Sequence, residues 1–335
     1  MEVRARTANE LYNELWWKIK VSGVTMDSRN GIVETIPEPV LFSLSDPRQR
    51  VLDYPVRDCN PFFHIAETVW MLGGSDDVRF VEKFNKRYRE YADPGEDYVW
   101  GAYGHRWRQH FGIDQIRQAI YQLRNNPDSR QVVIQMWDAH KDLNEEPHND
   151  RPCNTQIMFR TQKTKLDMLV TNRSNDLVWG ALGANVVHFT YLHELVANAI
   201  GYDVGTYRVL TNNLHVYPGM PRYKEIREEG LAGSDTVGLY PQLTILHPFE
   251  SSEALLGDCF RFVFEELHSE IPRTPEDYDR WSYDRPFKTM WMNGVAIPMM
   301  QAYLAGKKYG REAWLARVKD GWRQVAQDWC ARRVG

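Results

Sequence analysis

The sequence predicts an α+β fold. Three observations carry that prediction. Apolar residues recur at helical spacing in several windows. Shorter windows rich in β-formers, bounded by turn residues, lie between them. The two kinds do not alternate in a regular βαβ rhythm, so a doubly wound parallel sheet is not expected. The chain has 335 residues, 43% hydrophobic and 26% charged, values of an ordinary globular protein rather than a disordered one. That length can bury a core without disulfide or metal staples. No internal repeat or low-complexity tract interrupts it.

Residues 8–20 place Leu11, Leu15, Trp16 and Ile19 on one helical face. Gly31 to Ser45 is rich in β-formers and carries Pro37 and Pro39, which predicts strand and turn. Phe62 to Leu72 reads as a helix stopped by Gly73-Gly74, and Val78 to Tyr91 as another. Ile113 to Arg124 is a helix that ends before Asn125-Asn126-Pro127-Asp128. Strands follow at Val132–Trp137, Thr155–Thr161 and Lys165–Thr171, the last two joined by a polar turn at Gln162-Lys163-Thr164. Asn185 to Ile200 is a long apolar helix closed by Gly201. Short strands are expected at Tyr207–Leu210 and Leu243–Leu246, and a surface loop or short helix at Pro221–Asp235. The last stretch, with several Trp, reads as helical.

Net charge is −4 and the pI is about 6.2, which argues against a stable nucleic-acid partner. No window approaches the roughly 20 apolar residues of a membrane span, and the first 20 residues lack a signal peptide's apolar core. A cytoplasmic location, in a cell or an infected host, is the expectation. Cys59, Cys153, Cys259 and Cys330 form no CxxC pair, so neither a zinc ribbon nor a thioredoxin-like site is expected. Tryptophan and tyrosine number 12 and 17; they suit either a flat-ligand pocket or simply a large aromatic core.

Three polar clusters could carry chemistry. Arg151-Pro152-Cys153-Asn154-Thr155-Gln156 sets a thiol in a polar stretch, where a cation such as Arg151 could raise the thiolate fraction. A thiolate there could add to an electron-poor carbon; a small buried hydrophobe is the plainer alternative. Thr171-Asn172-Arg173-Ser174-Asn175-Asp176 offers a guanidinium fork and a hydroxyl suited to phosphate, or else a solvated turn. Asn212 to Tyr217 would point His215 and Tyr217 the same way on an extended segment, fit for sugar hydroxyls or for a half-buried strand edge.

Taken together the clusters resemble thymidylate synthase and its relatives, the pyrimidine nucleotide hydroxymethylases. Cys153 follows Pro152 and lies 20 residues before Arg173-Ser174-Asn175-Asp176; Gly180, Asn185 and His215-Val216-Tyr217 come next. Upstream, Ser28-Arg29-Asn30-Gly31 resembles the family's phosphate-binding loop, and Glu67 to Gly74 its Glu-x-x-Trp-x-Leu-x-Gly helix. Tyr103 to Arg108 resembles its Tyr-Gly-x-x-Trp-Arg stretch, and Pro127 to Arg130 its Pro-Asp-Ser-Arg turn. The likeness covers roughly residues 8–220. It implies a thymidylate synthase-like fold, a mixed sheet packed by helices, and a dimer through the sheet face. Residues 1–220 would be the catalytic core. Residues 221–335 would be the C-terminal part of the same domain, with a divergent, mostly helical extension.

The same resemblance implies the chemistry. Cys153 would add to C6 of a pyrimidine nucleoside 5′-monophosphate, making C5 nucleophilic towards the one-carbon unit of 5,10-methylenetetrahydrofolate. Arg29, Arg173 and Ser174 would hold the phosphate, joined by Arg130 from the partner subunit of a homodimer with shared sites. His215 and Tyr217 would hold the sugar 3′-hydroxyl and Asn185 the base edge. Glu67 would order water and relay protons, Tyr103 would sit beside the thiol, and Asp176 would bond the pterin ring. No metal is implied.

Departures from the family pattern point to the product. Asn154 stands where His is usual after the cysteine, Met158 where Gln is usual, and Gln131 where a second arginine follows Arg130. Gly180 to Asn185 is one residue longer than usual; the distance to His215 favours Asn185 over Ala184 as the base reader. Tyr88 and Tyr91 take places usually held by Trp, and the C-terminal residues do not resemble the short apolar closing tail. The changes at Tyr88, Tyr91 and the C-terminus, with a chain after Tyr217 longer than a standard member needs, gather on the folate side, where hydride transfer and water capture are decided. The expectation is a 5-hydroxymethylase acting on dUMP, with dCMP or CMP as the other bases. Thymidylate synthase proper and a non-catalytic nucleotide- or RNA-binding relative are the alternatives. An S-adenosylmethionine-dependent methylase lacks its glycine-rich loop here.

Overall fold

The computed structural model describes residues 1–144, 147–233, 251–268, 274–284, 287–306, 310–319 and 321–333. The strands are β1 (Glu2–Ala5), β2 (Val24–Ser28), β3 (Gly31–Thr35), β4 (Val40–Leu44), β5 (Val133–Gln135), β6 (Asn154–Gln162), β7 (Lys165–Asn172), β8 (Asn175–Asp176), β9 (Asp203–Thr211) and β10 (Leu214–Val216). The helices are α1 (Ala8–Ser22), α2 (Pro61–Gly73), α3 (Val78–Val81), α4 (Tyr103–Arg108), α5 (Gln115–Asn125), α6 (Ala139–Asp142), α7 (Val186–Ala199), α8 (Tyr223–Ala232), α9 (Ser252–His268), α10 (Pro275–Asp284) and α11 (Ile297–Leu304). Helices Arg311–Leu315 and Trp322–Ala331 follow.

The fold is α+β, as expected. Six strands form one mixed sheet in the order β1-β4-β9-β7-β6-β5, and four form a second in the order β2-β3-β10-β8. β6 and β7 are an antiparallel hairpin turned at Lys163, whose φ is +55°. β7 and β9 are parallel, so a crossover must join them. That crossover contains β8, a π-helical turn (Leu177–Asn185) and α7. β8 leaves the first sheet and pairs with β10 in the second. The crossover therefore carries residues 173–185 across the junction of the two sheets.

Local chemistry accounts for the main helices. α1 begins with a capping box, Thr7 and Glu10 each bonding the other's backbone N–H. α2 starts at Asn60, whose side chain accepts from Phe62 and Phe63 N–H, with Pro61 in its first turn. It ends at Gly74, left-handed at φ +79°. α2 and α7 are buried on nearly every face, because other elements cover them all round. The added C-terminal part supplies cover for α2: Tyr303 of α11 and Trp329 lie 5.6 and 5.5 Å from Phe62.

Several segments differ from expectation. Residues 78–91 are not one helix: α3 ends after one turn, and Asn85 caps a separate 3-10 segment over Lys86–Tyr91. Phe80, Val81 and Phe84 face the core, while Arg87 and Arg89 pair with acids at the surface. A continuous helix would have to turn one of these groups inward. β1 and β2 carry no periodic signal; β1 is held by backbone pairing to β4 and β2 is exposed throughout. The strand foreseen at 207–210 runs over Asp203–Thr211, and 221–235 contains the helix α8, packed through Gly230 on Trp16. The strand expected at 243–246 lies outside the described residues.

Candidate active site

A cavity of about 1470 Å³ opens at the junction of the sheets, lined in part by Cys153, Glu67, Tyr103, Asp176, Asn185 and Arg29. A recess of about 430 Å³ adjoins it; Arg29, Arg173, Ser174, His215 and Tyr217 line both. Every site residue expected from sequence is brought together here except Arg130. That arginine is exposed in the loop after α5 and is not among the lining residues.

Cys153 lies just before β6, where the pairing with β7 slips between Asn154 and Gln156. Such an irregularity re-aims a side chain at the end of a strand. The Arg173 backbone N–H donates to the Cys153 carbonyl at 2.9 Å. Its guanidinium donates to the carbonyls of Pro152 at 3.0 Å and Arg151 at 2.9 Å. The Cys153 loop and the arginine are thereby tied together. Asn154 is fully buried and donates to the Thr171 carbonyl at 2.9 Å. At this departure from the family pattern, the side chain joins β6 to β7.

Burial pushes the Cys153 thiol above its ordinary value; Arg173 pulls down, Asp150 and Asp176 push up, and Arg29 pulls down. The expectation that Arg151 would activate the thiol is corrected. Its guanidinium donates to the carbonyls of Asp142 at 2.9 Å and Asn144 at 3.0 Å. The cations acting on the sulfur are Arg173 and Arg29, and desolvation outweighs them.

Asp176 accepts from the N–H groups of Val178 at 2.7 Å and Trp179 at 3.2 Å, and so starts the π turn. Burial raises its carboxyl to about 6 against those two bonds. A π turn takes in an extra residue without ending the helix. This absorbs the one-residue surplus before Asn185, and the Asn185 amide lines the cavity 3.5 Å from Asn175 Oδ1. His215 Nδ1 is 2.8 Å from Asn213 Oδ1, and its ring meets that of Tyr217 edge-on at 5.0 Å. Arg29 sits at the exposed turn between β2 and β3.

Glu67, on α2, is buried at 3% exposure. The Tyr88 hydroxyl donates to its Oε1 at 3.0 Å, and His188 Nδ1 lies 3.5 Å from its Oε2. Tyr103 opens α4 beside the thiol; burial, then the charges of Cys153 and Asp150, push its phenol far up. Gly104 follows it because α4 crosses α2 so closely that a Cβ there would strike the Met71 backbone.

Sequence reasoning missed four lining residues. Asp150 stands three before the cysteine, and burial raises its carboxyl to about 6; its proximity in sequence was the available signal. His188 lies three residues after Asn185 near the start of α7, among mostly apolar neighbours; its place in the first turn after Asn185 was the available signal. Trp179 and Arg57 form the rim, the guanidinium 4.3 Å above the ring; nothing local in the sequence marks that pair. The C-terminal arginines pair back onto the chain, Arg333 with Asp58, which lines the cavity, and Arg332 with Asp53 at 2.9 Å.

The family model described as Thymidylate synthase matches residues 10–274. A protein of Pseudomonas phage M6 named deoxyuridylate hydroxymethyltransferase is 38% identical over 345 aligned positions, covering 99% of this chain and 94% of its own. One of the same name from Bacillus phage SP01 is 33% identical over 62% of this chain and 56% of its own. A putative thymidylate synthase of Methanothermobacter marburgensis is 30% identical over 44% of this chain and 62% of its own.

Proposed function

Because this chain belongs to the thymidylate synthase family, we infer that it hydroxymethylates C5 of dUMP through a covalent Cys153 adduct. The observation carrying the reading is a cavity lined by the Cys153 thiol, Glu67, Tyr103 and Asn185 that adjoins a recess, with Arg29, Arg173, Ser174, His215 and Tyr217 lining both. The names of the phage relatives support the hydroxymethyl product and the uracil base.

Arg29, Arg173 and Ser174 hold the 5′-phosphate, with guanidinium forks matched to its oxygens. His215 and Tyr217 hold the sugar. Asn185 presents one donor and one acceptor to the uracil edge, and a wrong base would leave those groups unpaired. The Cys153 sulfur bonds to C6 and the ring's electrons collect at C5 and the C4 oxygen. Tyr103, close to the sulfur, is suited to orient it. Glu67 receives and returns protons beside the ring.

The cavity fits a second, larger ligand as well. Its volume exceeds the roughly 300–1,000 Å³ common for one small molecule. Its mouth sets the half-exposed Trp179 and Tyr91 beside Arg57 and Arg87, a surface suited to a flat heterocycle with an acidic tail. Asp176, Trp179 and Arg57 would hold 5,10-methylenetetrahydrofolate. Bound there, that folate supplies the one-carbon unit at the oxidation level of formaldehyde.

Incubating the protein with 5,10-methylenetetrahydrofolate and dUMP, dCMP or CMP, then reading products by mass, tests this. Hydroxymethyl-dUMP is expected, without dihydrofolate absorbance. A methyl product accompanied by that absorbance would favour thymidylate synthesis instead. Cys153→Ala should abolish turnover while dUMP still binds; turnover in that variant would reject the covalent adduct.

A further inference from the structure

His188 is buried at 2% exposure on α7, yet it helps line the cavity. Neither ring nitrogen has a hydrogen-bond partner among the described residues. A buried imidazole so placed is costly unless something uses it. Aromatic rings surround it: Tyr103 at 5.9 Å, Trp107 at 6.3 Å and Phe189 at 4.7 Å. Its acidic neighbour is Glu67, with Nδ1 3.5 Å from Oε2. The other carboxylate oxygen accepts from Tyr88 at 3.0 Å, so Oε2 is the oxygen that approaches His188, and both residues line the cavity. Burial pushes the neighbouring His64 down to about 3, so it stays neutral and does not compete.

The two outcomes of one-carbon transfer differ in their proton balance. A hydride completes a methyl group and leaves no proton behind. Water completes a hydroxymethyl group and leaves one. In a cavity walled by aromatic rings that proton needs a resting place close to the carboxylate.

We propose that His188 is the proton store behind Glu67 for the water-addition step, a positioning residue that acts through that carboxylate. The inference rests on the hydroxymethylating function above. The water oxygen bonds to the exocyclic methylene carbon on C5, and that double bond's electrons pass into the ring to make an enolate at C4. Glu67 takes the water's proton and hands it to His188. The enolate re-forms the C4 carbonyl and the C5–C6 double bond, breaking the C6–sulfur bond and releasing Cys153 as thiolate. The proton on His188 then neutralises that thiolate or leaves to solvent. One water is consumed, and its hydroxyl ends on the product.

The test is a single turnover, with enzyme in excess over 5-tritiated dUMP and 5,10-methylenetetrahydrofolate present. Tritium release reports the steps before water addition, and 5-hydroxymethyl-dUMP reports completion. His188→Ala and His188→Gln are compared with wild type. Expected are tritium release slowed less than about threefold and product formation slowed at least about 100-fold, the scale of a lost acid–base group. Intact-protein mass should reveal the nucleotide with its extra carbon still on Cys153. Gln keeps an N–H donor but cannot accept the proton, so it should fail alongside Ala. Added imidazole should restore product in His188→Ala alone. Product formation near wild type in either variant, equal slowing of both readouts, or recovery with Gln would overturn the proposal. Wild-type protein that releases no tritium, or makes a methyl product, would instead remove the function on which the proposal stands.

Discussion

At the scale of single residues, the cavity pits charge against burial. Asp150 and Asp176 both sit with carboxyls raised to about 6, for which burial is the first cause. A raised folded-state pKa means the folded chain binds protons more tightly than the unfolded one between about pH 4 and 6. Stability is then lost as pH rises through that window, and the full penalty is present above it. The Asp150 shift corresponds to a cost on the order of 3 kcal/mol at neutral pH. Asp150→Asn is therefore expected to raise the melting temperature of the unliganded protein at pH 7, with the gain shrinking as pH falls from about 6 to about 4 and absent below that. Thermal melts across pH check it; an equal gain at every pH would show that charge is not the cause. Both carboxylates also raise the Cys153 thiol, so the same change should increase its rate of alkylation at pH 7. Asp150 was legible only as a neighbour of the cysteine in sequence; its strain comes from packing, which no local pattern encodes.

At the scale of elements, the site depends on how closely two helices approach. α2 brings Glu67 and α4 brings Tyr103, and Gly104 is the contact between them. Gly104→Ala would force the Met71 backbone or α4 to move, at a cost of about 1–3 kcal/mol for overpacking. Urea unfolding should show that loss of stability. Activity should fall further than the lost folded population explains, because Glu67 and Tyr103, to which we assign roles at the thiol, both shift; a variant as active as wild type would show that the approach is slack. The motif containing Gly104 is visible in sequence, whereas the reason for its glycine is not. The π turn is similar. The surplus residue before Asn185 can be counted in the chain, but its absorption by a widened helix is decided by Asp176 capping one end and α7 continuing from the other. Likewise the break in residues 78–91 follows from Asn85 capping a new segment, a competition that apolar periodicity alone does not reveal.

At the scale of the whole molecule, the two sheets, the crossover and, through Tyr303, helix α11 converge on one cavity. Arg130 remains outside the lining of its own chain's cavity, and we propose that it serves the partner subunit of a homodimer. Mixing Cys153→Ala and Arg130→Ala proteins, unfolding and refolding them together, should then regain activity that neither has alone. Random pairing of subunits makes about a quarter of the sites intact. No gain after co-refolding, with dimers present, would place Arg130 in its own subunit's chemistry or in none.

Apolar periodicity by itself determined the α+β class, and the order of motifs the family and nearly all of the candidate residues that line one cavity, because chemistry-bearing side chains must be of particular types whatever surrounds them. Tertiary structure alone decided the environment of those groups. It engaged Arg151 with loop carbonyls, placed Arg173 and Arg29 near the sulfur, set His188 behind Glu67 and lifted two carboxyls by burial. Desolvation and hydrogen-bond supply are sums over neighbours distant in sequence, and they exist only once the chain has folded around them.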